Sequence, residues 1–531
     1  MMIDEKVMGK IYQYLFYALC LFYILIYMPF GYEGTDTGYI FGTSWNIYNG
    51  QLPHRDFIYT RPAIPAYLHT VFIVISENYG MLLERSFFYI QVFLYSFLGA
   101  KLICQHFSLR SKHLLYFLSI VGAIISIHNY PPMGWNTIDG VFFCVLGLYL
   151  LLKDEASRVS IFFGCLCMVL GTFSKQSFYF MPIFLFLYLL LRKDFYRLKY
   201  YTLFGLFWVL GYVGFKMATN SLAPFIDQTF IRTPASGLLN SGVKTYYLVL
   251  KSNILYLLGG VIAGIIAVRF VPKKYVYLLL TIGICIYMGA VFLDDKNAWT
   301  IVKNLFQVWL VGMLIFGLIK SRKDKRYGLL LLLLAVSWSA SISNGYRTPI
   351  HFSLPLVAGL YLLFFSSGKD RMPSWMSGTS LLLFLGLFFI GYQTIYRDAE
   401  RNELTYTLGG VFPQLKFIKS DKETHDKLVE LKRLASKYPN FTVLPSMTRA
   451  HYLTKTINPI GTDWPLDVEI NGEARRLFDT LVQKKTVIFM ETSEFTQKEL
   501  EGYEIIPLIE EQWTLIVQTT YFKIYTSPSN D

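Results

Sequence analysis

The chain has 531 residues, of which 54% are hydrophobic, 17% aromatic and only 16% charged, and its mean hydropathy is +0.40. Soluble domains carry about 25% charged residues, so an ordinary soluble enzyme is excluded; lipid offers backbone groups no partner, which makes helices the only plausible spans. The net charge of +13 suggests nucleic acid at first, but the basic residues sit in short loops between apolar runs, where they set orientation, and no nucleic-acid partner is expected.

Taken in chain order, the first apolar run covers 11–30 and lacks a small-residue cleavage site after it, so it reads as a retained span. The polar loop Tyr32-Glu33-Gly34-Thr35-Asp36-Thr37-Gly38-Tyr39 follows and leads into Gly50-Gln51-Leu52-Pro53-His54-Arg55-Asp56-Phe57. Residues 61–78, opened by Pro62 and Pro65 and closed by Glu77, read as a helix lying at the membrane interface. Further spans are predicted at 84–104, 113–128, 137–152, 159–173, 176–191, 199–217, 250–268, 274–293, 299–318, 327–343, 350–366 and 376–396, about 13 in all, each long enough to cross a ~30 Å hydrocarbon core. The stretch 218–249 reads as a long loop, and Asp294-Asp295-Lys296 as a solvated turn.

Residues 397–531 are far more polar. Helices are expected at Asp421–Lys437 and Gly472–Lys484, and strands at Phe441–Leu444, Thr486–Met490 and Trp513–Tyr525, from periodicity and from β-branched and aromatic content. The fold class is therefore an α-helical polytopic membrane protein with a small C-terminal α/β domain, divided as 1–396 and 397–531. The six cysteines fall in or beside apolar runs without metal-ligand spacing and read as small core residues with no disulfide.

Charge sets the orientation. Loops on one side carry 20 basic residues, from Lys6 and Lys10 through Arg110, Lys112, Lys153, Arg158, Arg192, Lys193, Arg197, Lys199, Arg269, Lys273, Lys274, Lys320, Arg322, Lys323, Lys325 and Arg326 to Lys369 and Arg371. The short loops opposite carry 3, namely Lys175, Lys296 and Arg347. The positive-inside rule assigns the first side to the cytoplasm. The N-terminus is then cytoplasmic and, with an odd number of spans, 397–531 is extracytoplasmic. The loop of Asp36, the approach to Asp139, the Lys175 turn and the C-terminal region all face outward.

Several residues on that face have both a chemical and an architectural reading. Asp36, at the mouth of a span, can act as a general base toward an acceptor hydroxyl or amine, or cap a helix beginning near Thr37. Arg61, before Pro62, suits a phosphate through its planar fork and the helix N-terminus beside it, or snorkels to the headgroups. Asp139 opens the fourth span within Asn136-Thr137-Ile138-Asp139-Gly140, where a carboxylate is costly unless used or paired; helix capping is the alternative. Lys175 and Gln176 form a tight turn on the side depleted of positive charge, fitting a phosphate partner or a lipid headgroup. Arg347 and His351 sit on the same face and are candidates for an anionic donor. Asp56 reads as scaffold or substrate contact, paired with Arg55 or Arg61.

In this order the motifs resemble the GT-C superfamily of polytopic membrane glycosyltransferases, in the branch of protein O-mannosyltransferases and lipid A aminoarabinose transferases. The resemblance rests on Asp36 in Asp-Thr-Gly-Tyr after the first span, the Gly50–Phe57 loop with His54 where the family has Tyr, Arg61-Pro62, Asp139 leading a span, and Lys175 at the next outer turn. It covers roughly residues 10–400 and the soluble C-terminal region. Where the family often has Glu-Lys-Pro-Pro, this chain has Thr60-Arg61-Pro62-Ala63, which puts in doubt a metal site built on that Glu.

The resemblance implies inverting transfer of a sugar from a polyprenyl-phosphate carrier to a glycan, lipid or protein acceptor at the outer face of a bacterial cell membrane. Asp36 would be the general base, Arg61 and Lys175 would hold the carrier phosphate, and Asp139 would position the acceptor or support Asp36. No cofactor is named with certainty; a divalent cation is left open, and its ligands are unknown. Two other readings use the same cations: a transporter or flippase of lipid-linked saccharides, and a cell-surface polysaccharide polymerase or ligase. The last would concentrate its basic residues in one large outer loop, yet 218–249 supplies only Arg232 and Lys244.

Overall fold

The computed structural model describes residues 5–127, 132–232, 235–293, 296–341, 349–365, 372–391, 398–492 and 500–527. Most apolar runs fold as helices where periodicity and length place them: Gly80–His106, Lys112–Ile127, Asn136–Leu152, Arg158–Thr172, Phe195–Ala218, Lys273–Leu293, Lys296–Ser321, Tyr327–Ser341, Leu354–Phe365 and Ser374–Gly391. Among the described residues, five helices are long and apolar enough to cross a membrane, or six if a bent pair is counted as one, and seven apolar helices are shorter, at 10–17 residues. Their outward faces are apolar: Leu206, Phe207, Leu210, Leu255, Ile262 and Ile265 are all exposed. A surface of that kind is stable against lipid and unstable against water. The protein is membrane-embedded.

Three expectations are corrected. The first helix runs Glu5–Phe22 and continues as a π-helical turn, Tyr23–Tyr27, instead of covering 11–30. Glu5–Lys10 contains good helix formers that extend the helix beyond its apolar part, while Pro29 and the left-handed Gly31 end it (φ 89°). The 218–249 stretch is helical, not a loop: Leu222–Ile226, a π-helical turn Asp227–Ile231, and Ala235–Ser252. The third concerns Trp513–Tyr525, which is a hairpin of Thr514–Gln518 and Phe522–Thr526. Its turn is closed by Thr519, which donates its N–H to the Phe522 carbonyl at 2.8 Å and accepts the Phe522 amide on its hydroxyl at 3.1 Å. With no Gly or Pro in it, the turn leaves no mark on the strand-like composition.

Within the bundle, Asn136–Leu152 packs on Arg158–Thr172 with their backbones in near contact. A side chain on Gly147 would meet the Gly164 carbonyl at 3.0 Å, and one on Gly164 the Gly147 carbonyl at 3.2 Å. Small residues allow such approach where no hydrophobic force draws helices together in lipid. The pairing sets the upper end of this hairpin, with Asn136 Nδ2 donating to the Ser174 carbonyl at 3.0 Å. At the opposite end lie the basic residues read as one side of the membrane. Arg192 donates to His106 at 2.7 Å, Arg197 to the Lys153 carbonyl at 3.2 Å, and the Arg326 guanidinium lies over Phe107.

The C-terminal region holds a four-stranded sheet in the order Phe441–Leu444, Val487–Glu491, Phe522–Thr526, Thr514–Gln518, the first pair parallel and the others antiparallel. The helices Lys422–Lys437 and Ala474–Gln483 appear within a residue or two of expectation; Asp421 caps the first, accepting from the Thr424 amide at 2.7 Å. This region is not set apart from the N-terminal loops. One hydrophobic core joins Tyr32, Phe41, Trp45, Met81 and Leu82 to Leu428, Phe441, Tyr452 and Phe489. The helix Tyr39–Tyr48 lies against it, with Trp45 Nε1 donating to the Thr456 carbonyl and Asn46 Nδ2 to the Gly461 carbonyl, both at 2.8 Å.

Candidate active site

The loop carrying Asp36 is built by buried polar groups. Arg85, 2% exposed, donates to the carbonyls of Met28 and Gly31 at 2.8 Å each and so fixes the chain as it leaves the first helix. Glu33 takes the capping role that Asp36 was given as an alternative: its carboxylate accepts the amides of Asp36 and Thr37 at 3.1 and 2.9 Å. From the C-terminal region, Thr448 donates to the Gly34 and Thr35 carbonyls at 2.9 and 2.7 Å. Arg449, 1% exposed, donates to the Thr37 hydroxyl at 2.9 Å and also to the Thr37 carbonyl. A Cβ on Gly38 would overlap the Thr448 hydroxyl, so this approach requires glycine. Asp36 itself opens a short 3-10 turn, Asp36–Gly38, and is 8% exposed.

Beside that turn stands Arg61. Its guanidinium lies over the Tyr39 ring at 4.6 Å, Tyr39 stacks on Tyr59 at 5.8 Å, and Trp464 meets Tyr39 edge-on at 5.6 Å. Arg61 forms an ion pair with Glu469, 408 positions away. Burial opposes the charge on Arg61, but Glu469 and the nearby Tyr39, Tyr59 and Asp36 outweigh it and raise its pKa. Lys175 reaches the same place from the turn between two helices, its ammonium donating to the Thr137 hydroxyl at 3.4 Å. Burial, with Arg61 adding to it, pushes the Lys175 pKa down to about 7, against an opposing pull from Glu469. Asp36, Arg61, Lys175 and Glu469 thus share one electrostatic neighbourhood, although they come from positions spread across the chain.

The floor of the site is the Gly50–Arg61 loop. His54 holds a left-handed backbone, φ 75°. Burial and Lys216 push its pKa down to about 3, so the ring is neutral. Lys216, a donor only, stands 3.3 Å from Nδ1, and so Nε2 carries the proton it donates to the Arg61 carbonyl at 3.0 Å. Gln228, in the π-helical turn, brackets the same loop: it donates to the His54 carbonyl at 3.1 Å and accepts the Tyr59 amide at 2.9 Å. Gln176 donates to the Thr60 carbonyl at 2.5 Å. The Arg61 backbone is therefore gripped from several sides.

No family model and no curated protein matches the chain. Two solved structures of ArnT from Cupriavidus metallidurans align along nearly its whole length. The apo structure covers 96% of this chain and 97% of its own, at 10% identity and a TM-score of 0.40. The structure bound to undecaprenyl phosphate covers 97% and 98%, at 10% identity and a TM-score of 0.43.

The other candidates are placed as follows. Asp139 is fully buried. Its carboxylate accepts from Gln91 Nε2 at 2.8 Å and contacts His69 Nε2 at 3.2 Å, while His69 Nδ1 lies 3.1 Å from Glu84. It opens no cap, since the N-cap position of its helix is Trp135; it belongs to a buried knot joining three helices. The two carboxylates sit on opposite nitrogens of one ring, and among the described residues no group of three or more His, Cys, Asp or Glu is arranged to hold a metal ion. Asp56 pairs with Arg55 at 2.7 Å and not with Arg61; it also accepts the Leu52 amide at 2.7 Å, a scaffold position on the exposed rim. His351 is buried in the short turn Pro349–Phe352, where its carbonyl accepts from Tyr95 at 2.6 Å. Arg347, and the Asp294-Asp295 part of the expected turn, lie outside the described residues.

Nothing in the sequence singles out Glu469: it stands in the alternating stretch Leu466-Asp467-Val468-Glu469-Ile470-Asn471, where acidic and polar residues at every second position read as a solvated face. Glu84, Arg85 and Lys216 had a readable signal: each is a charged residue within an apolar helix, and such residues are retained when paired or used. His69, in its apolar segment, gave the same kind of signal.

Proposed function

We propose that this protein is an inverting glycosyltransferase that moves a sugar from a polyprenyl-phosphate donor to an acceptor at the outer face of a bacterial cell membrane. The observation that carries the proposal is the meeting of Arg61 and Lys175 beside Asp36, at one end of a lipid-facing helical bundle. A sugar leaving a phosphate needs cations aimed at the oxygen that gains charge, and an attacking hydroxyl or amine needs a carboxylate to receive its proton. In this reading Arg61 offers a planar fork already flattened against Tyr39, and Lys175 adds a point charge. Asp36 takes the acceptor proton as the acceptor attacks the anomeric carbon from the face opposite the departing phosphate, which inverts that centre. Asp139 acts at a distance, holding the helix that presents Thr137. The topology of about 13 spans, with the N-terminus inside and 397–531 outside, belongs to the same proposal.

Undecaprenyl phosphate, the ligand named for one of the aligned ArnT structures, is a suitable probe. In liposomes, Asp36→Asn is expected to lower transfer by roughly 10²–10⁴-fold, the range of a general base, with binding of the probe retained. Arg61→Ala and Lys175→Ala are expected to weaken that binding. Near-normal transfer by Asp36→Asn rules out the base; unchanged binding in both cation variants rules out the phosphate site.

A further inference from the structure

Resting on that reading, we infer that Glu469 occupies the donor phosphate's place in the ligand-free protein and must be displaced for the donor to bind. Three groups contact its carboxylate, and a fourth lies within reach of its charge. Arg61 pairs with Oε1. The Thr60 hydroxyl donates to Oε2 at 3.1 Å, and the Tyr39 phenol donates to the same oxygen at 3.3 Å. Lys175 feels its charge. A guanidinium and two hydroxyls on one pair of carboxylate oxygens, with a second cation nearby, is the donor set a phosphate oxyanion would call for.

Charge makes the two occupants exclusive. Without ligand, and with Lys175 protonated, Arg61 and Lys175 balance Asp36 and Glu469. A phosphodiester added to that set leaves one negative charge in excess in a half-buried site, where like charges are poorly screened. Withdrawal of Glu469 restores the balance and leaves Asp36 as the one carboxylate beside the reacting centre.

The local backbone permits the withdrawal. Glu469 sits outside the sheet on a turn held by its own hydrogen bonds, Glu469 N to the Leu466 carbonyl at 2.7 Å and Gly472 N to the Asp467 carbonyl at 3.0 Å. Its neighbour Val468 is 73% exposed, while Ile470 is buried and anchors the following residue. Rotation of the Glu469 side chain toward the Val468 side therefore needs no rearrangement of the core.

The test measures binding of undecaprenyl phosphate to the full chain in nanodiscs, together with carbodiimide labelling of Glu469 read by mass spectrometry. Glu469→Gln is expected to tighten binding on the order of tenfold, because a charged competitor is removed. Adding undecaprenyl phosphate to the unsubstituted chain is expected to raise labelling of Glu469. Phosphatidylglycerol or inorganic phosphate at the same concentration is expected to leave it unchanged. Weaker binding by Glu469→Gln, or constant labelling while the ligand binds, overturns the displacement. Equal labelling with phosphatidylglycerol or inorganic phosphate overturns its link to the donor. If Arg61→Ala and Lys175→Ala both bind normally, the phosphate site itself fails; if either binds weakly and Glu469→Gln is no tighter, only the displacement fails.

Discussion

Lys175 shows what one residue's surroundings do to its chemistry. An ordinary lysine is charged throughout the physiological range, but burial beside Arg61 brings this one to about 7. A bound anion favours the charged form, so affinity for an anionic donor is expected to fall as pH rises through 7, by about tenfold between pH 6 and pH 8. Undecaprenyl phosphate has an ionisation of its own near this range, so the quantity to measure is the difference between the unsubstituted chain and Lys175→Ala. A difference that stays flat with pH contradicts the assignment. At this scale the sequence located Asp36, Arg61 and Lys175 because each is a charge in a short polar turn set between long apolar runs. Glu469 has no such contrast, and its meeting with Arg61 across 408 positions is set by packing alone.

Among the elements, the turn at 33–38 and the segment 446–463 stabilise each other. Arg449→Ala removes a buried guanidinium and strands the Thr37 carbonyl. A loss of about 2–4 kcal/mol is expected, the range for breaking a buried hydrogen-bonded charge, and a clear fall in Tm in detergent would record it. Asp463 adds a pH dependence. Burial raises its carboxyl to about 7, while the Asn458 amide, donating at 2.7 Å, pulls it back. His451, 3.9 Å away, is pushed by burial to about 3 and stays neutral across the range. Since the folded pKa lies above the unfolded value near 3.9, Asp463's contribution is complete below pH 4 and is lost as pH rises through 7. Asp463→Asn should therefore gain Tm over the unsubstituted chain at pH 8 and shed most of that advantage by pH 5. An equal difference at both values disproves the account. Helix positions, and the strands Phe441–Leu444 and Val487–Glu491, were legible from periodicity. The helical character of 218–249 was not, because its glycines, prolines and polar residues carry the composition of a loop.

For the whole molecule, the lipid-facing rows and the clustering of basic residues at one end follow from hydropathy and charge, and the proposed topology follows from them. A phosphatase reporter fused after residue 400 is expected to be active outside the cytoplasm, and cytoplasmic activity would reverse the assignment. Truncation at the same point should abolish stable accumulation, because it opens the core that joins Phe41 and Trp45 to Phe441 and Tyr452. The sequence by itself determined a membrane-embedded helical bundle, a polar C-terminal region with helices and strands, and three charged residues worth testing, since hydropathy, charge placement and period are local properties. Tertiary structure alone decided that the C-terminal region forms part of the wall around Asp36, that Glu33 and not Asp36 caps the turn, that Asp139 is buried against His69 and Gln91, and that Glu469 sits on Arg61. All but the Glu33 cap depend on contact between residues distant in the chain, and such contacts are selected by the packing of the whole fold; the cap is local, but Glu33 and Asp36 are both acidic residues at its start and only the folded geometry chooses between them.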